Sequence, residues 1–134
     1  MSIKDHVLEK DGLLACLFAA EMRAFEGKEL SEIRKDVEKI TGKFHGTRLN
    51  IELETNEQKE KIIKRFKDSK KECCGFKIKQ RLERDGIGFD LEDEQSDTWI
   101  LVRASGTEPV VRIYIESSNK ESFDQLLKEV KHLK

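Results

Sequence analysis

The stretch Trp99-Ile100-Leu101-Val102-Arg103-Ala104-Ser105-Gly106-Thr107-Glu108-Pro109-Val110-Val111-Arg112-Ile113-Tyr114-Ile115-Glu116 reads as two strands folded back on one turn. Trp99 to Arg103 and Val110 to Glu116 are the strands, and the tip lies between them. Arg103, with Arg112 one strand later, brings two permanently charged guanidinium forks to that tip, each able to bond phosphate oxygens bidentately. Gly106 has no Cβ, so main-chain amides can approach an anion there, while Ser105 and Thr107 add hydroxyl donors. Pro109 stiffens the exit. The same letters are also ordinary hairpin punctuation, and spacing alone leaves a phosphate grip and a plain turn both open.

Working upstream, Asp85-Gly86 reads as a two-residue turn, with Phe76, Ile78 and Leu82 on the strand before it and Ile87, Phe89 and Leu91 on the strand after it. Leu49, Ile51 and Leu53 alternate with Arg48, Asn50, Glu52 and Glu54, the period of a half-buried strand starting near Thr47. Thr55-x-x-Gln58 is a capping box opening a helix that buries Ile62, Ile63 and Phe66 and ends before Gly75. Downstream, Ser118-x-x-Glu121 reads as the cap of a last helix with Phe123, Leu126, Leu127, Val130 and Leu133 on one face. The expected fold class is α+β, an antiparallel sheet with two helices packed on one face.

Two further helices precede this unit. Leu13, Leu14, Cys16, Leu17, Phe18, Ala19, Ala20, Met22 and Phe25 form an apolar set too wide for a helix with one wet face. Such a helix is expected to fold back over the core or to self-associate with a second copy through Leu13–Phe25. Leu30, Ile33, Val37 and Ile40 mark the second, from about Ser31 to Thr41, and Gly42 and Gly46 bracket a linker.

Composition narrows the function classes. With 26 basic and 27 acidic residues in 134, no net field draws in a polyanion. The densest basic stretch, Lys59, Lys61, Lys64, Arg65, Lys67, Lys70 and Lys71, is diluted by Glu57, Glu60, Asp68 and Glu72 and reads as a solvated helix face. Aromatic residues are 7% of the chain, too few for a base-stacking platform. No apolar run approaches the roughly twenty residues of a membrane span, so neither nucleic acid nor membrane is an expected partner. Three cysteines, with Cys73 and Cys74 adjacent, make neither a disulfide framework nor a Cys-x-x-Cys site, which points to a reducing cytoplasm. Adjacent side chains in extended chain point apart, so the pair reads as incidental thiols. Asp90, Glu92, Asp93, Glu94 and Asp97 lack the spacing of a calcium loop, and His6, His45 and His132 are too scattered for a metal site. Ser105 has no nearby histidine to act as base, so it is a donor rather than a nucleophile.

The Trp99 to Glu116 stretch closely resembles the C-terminal phosphate-binding loop of the alpha-D-phosphohexomutase family, which includes phosphoglucomutase and phosphomannomutase. Glu9-Lys10-Asp11-Gly12-Leu13-Leu14-Ala15, running to Glu21-Met22, is similar to the last helix of that family's third domain, and Asp85-Gly86-Ile87 also fits. The likeness covers nearly the whole chain, with residues 43 to 80 only compatible. Ala104 stands where many members have proline. The resemblance implies a TATA-box-binding-protein-like C-terminal domain at 45–134, preceded at 1–44 by the helical tail of the third domain and a linker.

The phosphoserine loop, the magnesium-binding Asp-rich loop and the sugar-recognition Gly-Glu-x-Ser-Gly-Gly loop of the family do not occur here. The chain is therefore expected to be a C-terminal fragment, inactive alone, of an enzyme that moves a phosphoryl group within a hexose phosphate. The implied substrate-phosphate residues are Arg103, Ser105, Gly106, Thr107 and Arg112. No catalytic residue, metal or cofactor is expected in the chain, Mg2+ belonging to another domain of the parent. The implied partners are the phosphate of a hexose phosphate or bisphosphate and the parent's other domains. A free-standing module binding a phosphorylated metabolite is the alternative.

Overall fold

The computed structural model describes residues 11–83, 85–94 and 96–133. Glu9, Lys10 and His6 lie outside them. The chain divides into two compact units, residues 1–43 and 44–134.

In the first unit, α1 spans Gly12–Glu26 and α2 spans Leu30–Thr41. Asp11 caps α1 by accepting from the Leu14 amide at 2.9 Å, and Gly27 ends it in the left-handed region at φ 62°. A reciprocal Glu29/Glu32 capping box opens α2. An ion pair of Arg23 with Glu29 ties α1 to the cap of α2, and Lys28 in the connection pairs with Asp36 of α2 at 2.7 Å. Hydrogen bonds from Lys28 and Lys39 hold the Asp36 carboxyl down to about 2. None of α1's residues is buried; Leu13 is 79% and Phe25 88% exposed.

In the second unit, β1 (His45–Glu52), α3 (Asn56–Asp68), β2 (Glu72–Cys73), β3 (Phe76–Leu82), β4 (Ile87–Glu92), β5 (Thr98–Ala104), β6 (Val110–Ser117) and α4 (Lys120–Lys131) follow in chain order. The strands form one antiparallel sheet in the order β1-β6-β5-β4-β3-β2. Ile100, Val102, Val111, Ile113 and Ile115 point to one face and are buried there beneath Ile62, Ile63 and Phe66 of α3 and Leu126 and Val130 of α4. The intervening residues form the open face. The period-2 reading of β5 and β6 is thus the reading of which side the helices cover.

Several local expectations change. The Thr55–Gln58 box forms and α3 ends at Asp68, before Gly75 as expected, but β1 begins at His45, taking Gly46 out of the linker. The cap of α4 is Asn119, whose carboxamide oxygen accepts from the Glu121 and Ser122 amides. Ser118 instead accepts from the Asp97 amide at 3.0 Å, tying two loops together. In β3 the register shifts between Ile78 and Gln80. This bulge reverses the alternation: Ile78 pairs with buried Leu91, but Leu82 pairs with Gly88 and is left exposed. Arg81 takes the inner position opposite Phe89, stacks over its ring at 5.6 Å, and donates to the Lys67 and Ser69 carbonyls at the end of α3.

Candidate functional site

Arg103 and Arg112 are direct cross-strand partners in the β5–β6 register, so both project from the open face. On the far side of Arg112 the register places Asn50 of β1, giving a row Asn50, Arg112, Arg103 across three strands. Two cations side by side repel, and an anion between them relieves that repulsion. Arg103 has a carboxylate already, pairing with exposed Asp85 at 2.5 Å. Such an exposed pair is worth little and is readily exchanged for a bidentate phosphate contact. Among the described residues no carboxylate pairs with Arg112.

The loop between the strands is knotted by its own main chain. The Ser105 amide donates to the Val110 carbonyl at 2.9 Å, the Val110 amide to the Glu108 carbonyl at 2.8 Å, and the Leu53 amide to the Pro109 carbonyl at 2.9 Å. Ser105 is 7% exposed, and its hydroxyl accepts from the Glu108 amide at 3.3 Å. Its first task is therefore to shape the turn; its hydroxyl proton is left to donate. Gly106 does not take a left-handed backbone, and a Cβ there would meet nothing within 4 Å. The position is open space and needs no backbone angle reserved to glycine. Thr107 is exposed beside it. Among the described residues the amides of Gly106 and Thr107 have no protein acceptor.

Beneath the loop sits a group the sequence reading placed in solvent. Lys59 is 8% exposed, and its ammonium donates to the Ser105 carbonyl at 3.1 Å and the Glu108 carbonyl at 3.4 Å. The signal for this was present, since Lys59 precedes Ile62, Ile63 and Phe66 at helical spacing and shares their stripe.

The turn at Gly86 completes the surroundings. Its φ is 131°, and a Cβ there would fall 2.6 Å from the Val102 carbonyl and 2.8 Å from Cγ of Arg103. A bare glycine thus lets the β4 turn lie against the Arg103 stem.

The other clusters have structural work. Asp93 accepts from the hydroxyls of Ser96 and Thr98, and Thr98 meets the buried Ser117 hydroxyl at 2.8 Å. A depression of about 490 Å³ opens beside them, lined by Asp90, Glu92 and Trp99 among others. Among the described residues no three His, Cys, Asp or Glu side chains converge as a metal site. Cys73 and Cys74 do not point apart: Cys74 lies at φ 51° and Gly75 at φ 80°, a two-residue turn joining β2 to β3, and the sulfurs are 3.9 Å apart. The hydrogen bond between them raises the Cys73 thiol pKa, with burial adding to the rise, and lowers that of Cys74.

A profile of the family described as "Phosphoglucomutase/phosphomannomutase, C-terminal domain" matches residues 49–133. Over 92% of its length the chain is 28% identical to the phosphoglucomutase/phosphomannomutase of Thermococcus kodakarensis, covering 24% of that protein. Over 94% it is 32% identical to a probable phosphoglucosamine mutase of Pyrococcus furiosus, covering 25% of it, and over 96% it is 33% identical to the phosphoglucosamine mutase of Methanococcus aeolicus, covering 26%. The chain thus spans about a quarter of the length of the curated relatives it matches. With the matched segment running from β1 through α4 and enclosing the arginine pair and its loop, the chain belongs to the phosphoglucomutase/phosphomannomutase C-terminal domain family.

Proposed function

We propose that this chain acts as the phosphate clamp of a phosphohexomutase, holding the non-reacting phosphate of a hexose phosphate while other domains of the parent enzyme carry the transfer. The observation that carries this reading is the side-by-side placement of Arg103 and Arg112 at the mouth of a loop with two unengaged amides. Arg103 and Arg112 supply fixed charge, the Gly106 and Thr107 amides and the Thr107 hydroxyl supply directed donors, and Ser105 holds the turn in shape. None of these groups reads a sugar ring. A bisphosphate that turns end for end is therefore accepted either way round.

Holding the remote phosphate orients the reacting end, and swinging with it closes the cleft against water. The phosphoserine and Mg2+ of the parent belong to this proposal as parts of other domains, and no step of the chemistry runs through this chain's residues. The apolar face of α1 is assigned to packing against a preceding domain of the parent, and the reducing cytoplasm is its compartment.

A titration followed by two-dimensional amide NMR tests the clamp, with glucose 1-phosphate, inorganic phosphate and glucose as ligands. Shifts at 103–112 with both phosphates and not with glucose are expected. Equal shifts with glucose, or none with either phosphate, refute it.

A further inference from the structure

We infer that Lys59 is a concealed third cation of the phosphate site, a positioning residue that holds the 105–108 loop from beneath and lends its charge to an anion bound above. This rests on the phosphate-clamp reading. The ammonium ties two carbonyls three residues apart, Ser105 at 3.1 Å and Glu108 at 3.4 Å, so it fixes both shoulders of the segment that carries the open amides of Gly106 and Thr107. By drawing the Ser105 carbonyl inward it leaves the Gly106 amide to face outward, since one peptide plane carries that C=O and that N–H on opposite edges, while the hold on the Glu108 carbonyl fixes the far end of the loop at Pro109.

Energetics point the same way. Lys59 stands in the first turn of α3, where a cation opposes the helix dipole, and it is buried on the stripe that Ile62, Ile63 and Phe66 occupy. A buried ammonium is costly unless an opposite charge compensates it, and among the described residues no carboxylate pairs with it. Carbonyl dipoles answer part of that need. A dianionic phosphate over the loop answers the rest, so the folded chain carries a charge that ligand binding completes.

The test compares the wild-type chain with Lys59→Met, which keeps the stem, and Lys59→Gln, which keeps a donor without the charge. Each is titrated with inorganic phosphate as the dianion and with dimethyl phosphate, a monoanion, while hydrogen exchange of the Glu108 amide reports loop order. In both variants phosphate binding is expected to weaken roughly tenfold, the scale of one partly screened charge. Affinity for the monoanion should fall less, which simple loosening of the loop would not produce. Faster Glu108 exchange is expected in Lys59→Met. Unchanged phosphate affinity in both variants, or equal losses for the two anions, overturns the inference while leaving the clamp standing. Failure of the wild-type chain to bind phosphate overturns the clamp, and this inference with it.

Discussion

Replacing Gly86 with alanine tests the geometry that places Arg103. At φ 131° an L-residue is strained, at about 1–3 kcal/mol. The new methyl would also sit 2.6 Å from the Val102 carbonyl and 2.8 Å from Cγ of Arg103, and the first of these is backbone that cannot swing aside. Val102 pairs with Ile87 in the β4–β5 ladder, so relief requires loosening that pairing, at about 1 kcal/mol for one hydrogen bond. The expected loss is about 2–4 kcal/mol. For a unit the size of residues 44–134 this is roughly 10–30 °C in Tm.

Trp99, the single tryptophan, lies within β5 and reports unfolding by fluorescence in urea or on heating. Gly88→Ala is the matched control two residues on: its Cβ would find its nearest neighbours at 3.4 to 3.6 Å with no unusual φ. It should change stability by less than about 1 kcal/mol. If Gly86→Ala unfolds within about 0.5 kcal/mol of the wild type, or no earlier than Gly88→Ala, the close approach of the turn to Arg103 is not what fixes this residue.

Arg112→Ala should weaken phosphate binding by about 1.5–3 kcal/mol with no change in the urea midpoint, read from the same amide titration; an unchanged affinity would remove Arg112 from the clamp. Gly106→Ala should keep or raise stability by up to about 1 kcal/mol, since nothing stands within 4 Å and no left-handed angle is required; a marked loss in thermal denaturation would contradict that open environment. Limited alkylation with iodoacetamide, followed by peptide mass spectrometry, should label Cys74 ahead of Cys73. The hydrogen bond from Cys73 favours the Cys74 thiolate while Cys73 is buried. Earlier labelling of Cys73 would reverse that assignment.

Strand and helix periods were legible because burial on one face is a one-body property: Ile100, Val102, Ile113 and Ile115 each declare their side by their own chemistry. The arginine pair was legible as composition, and the fold added its register. What could not be read depended on two bodies meeting. Lys59 looks like its solvated neighbours until the β5–β6 loop is placed over α3. Ser105 looks like an open donor until the Glu108 amide turns back onto it. The β3 bulge hides in a stretch of lysine, glutamine and arginine that offers little apolar contrast to betray a change of face. Cys74 in the left-handed region runs against residue preference, so no local rule would place the two sulfurs together.

The sheet order has a consequence for synthesis on the ribosome. β2 through β5 join sequence neighbours and can pair as they emerge, but among the described residues β1, which opens the second unit, pairs only with β6, the strand of that unit made after all the others. Until β6 has left the exit tunnel, β1 is an unpaired edge and Leu49 and Ile51 have no sheet to lie in. The same late strand delivers Arg112 and closes the loop over Lys59. A nascent chain interrupted before Val110 would thus lack its closing strand and its anion site together, and that final strand is the commitment step for both.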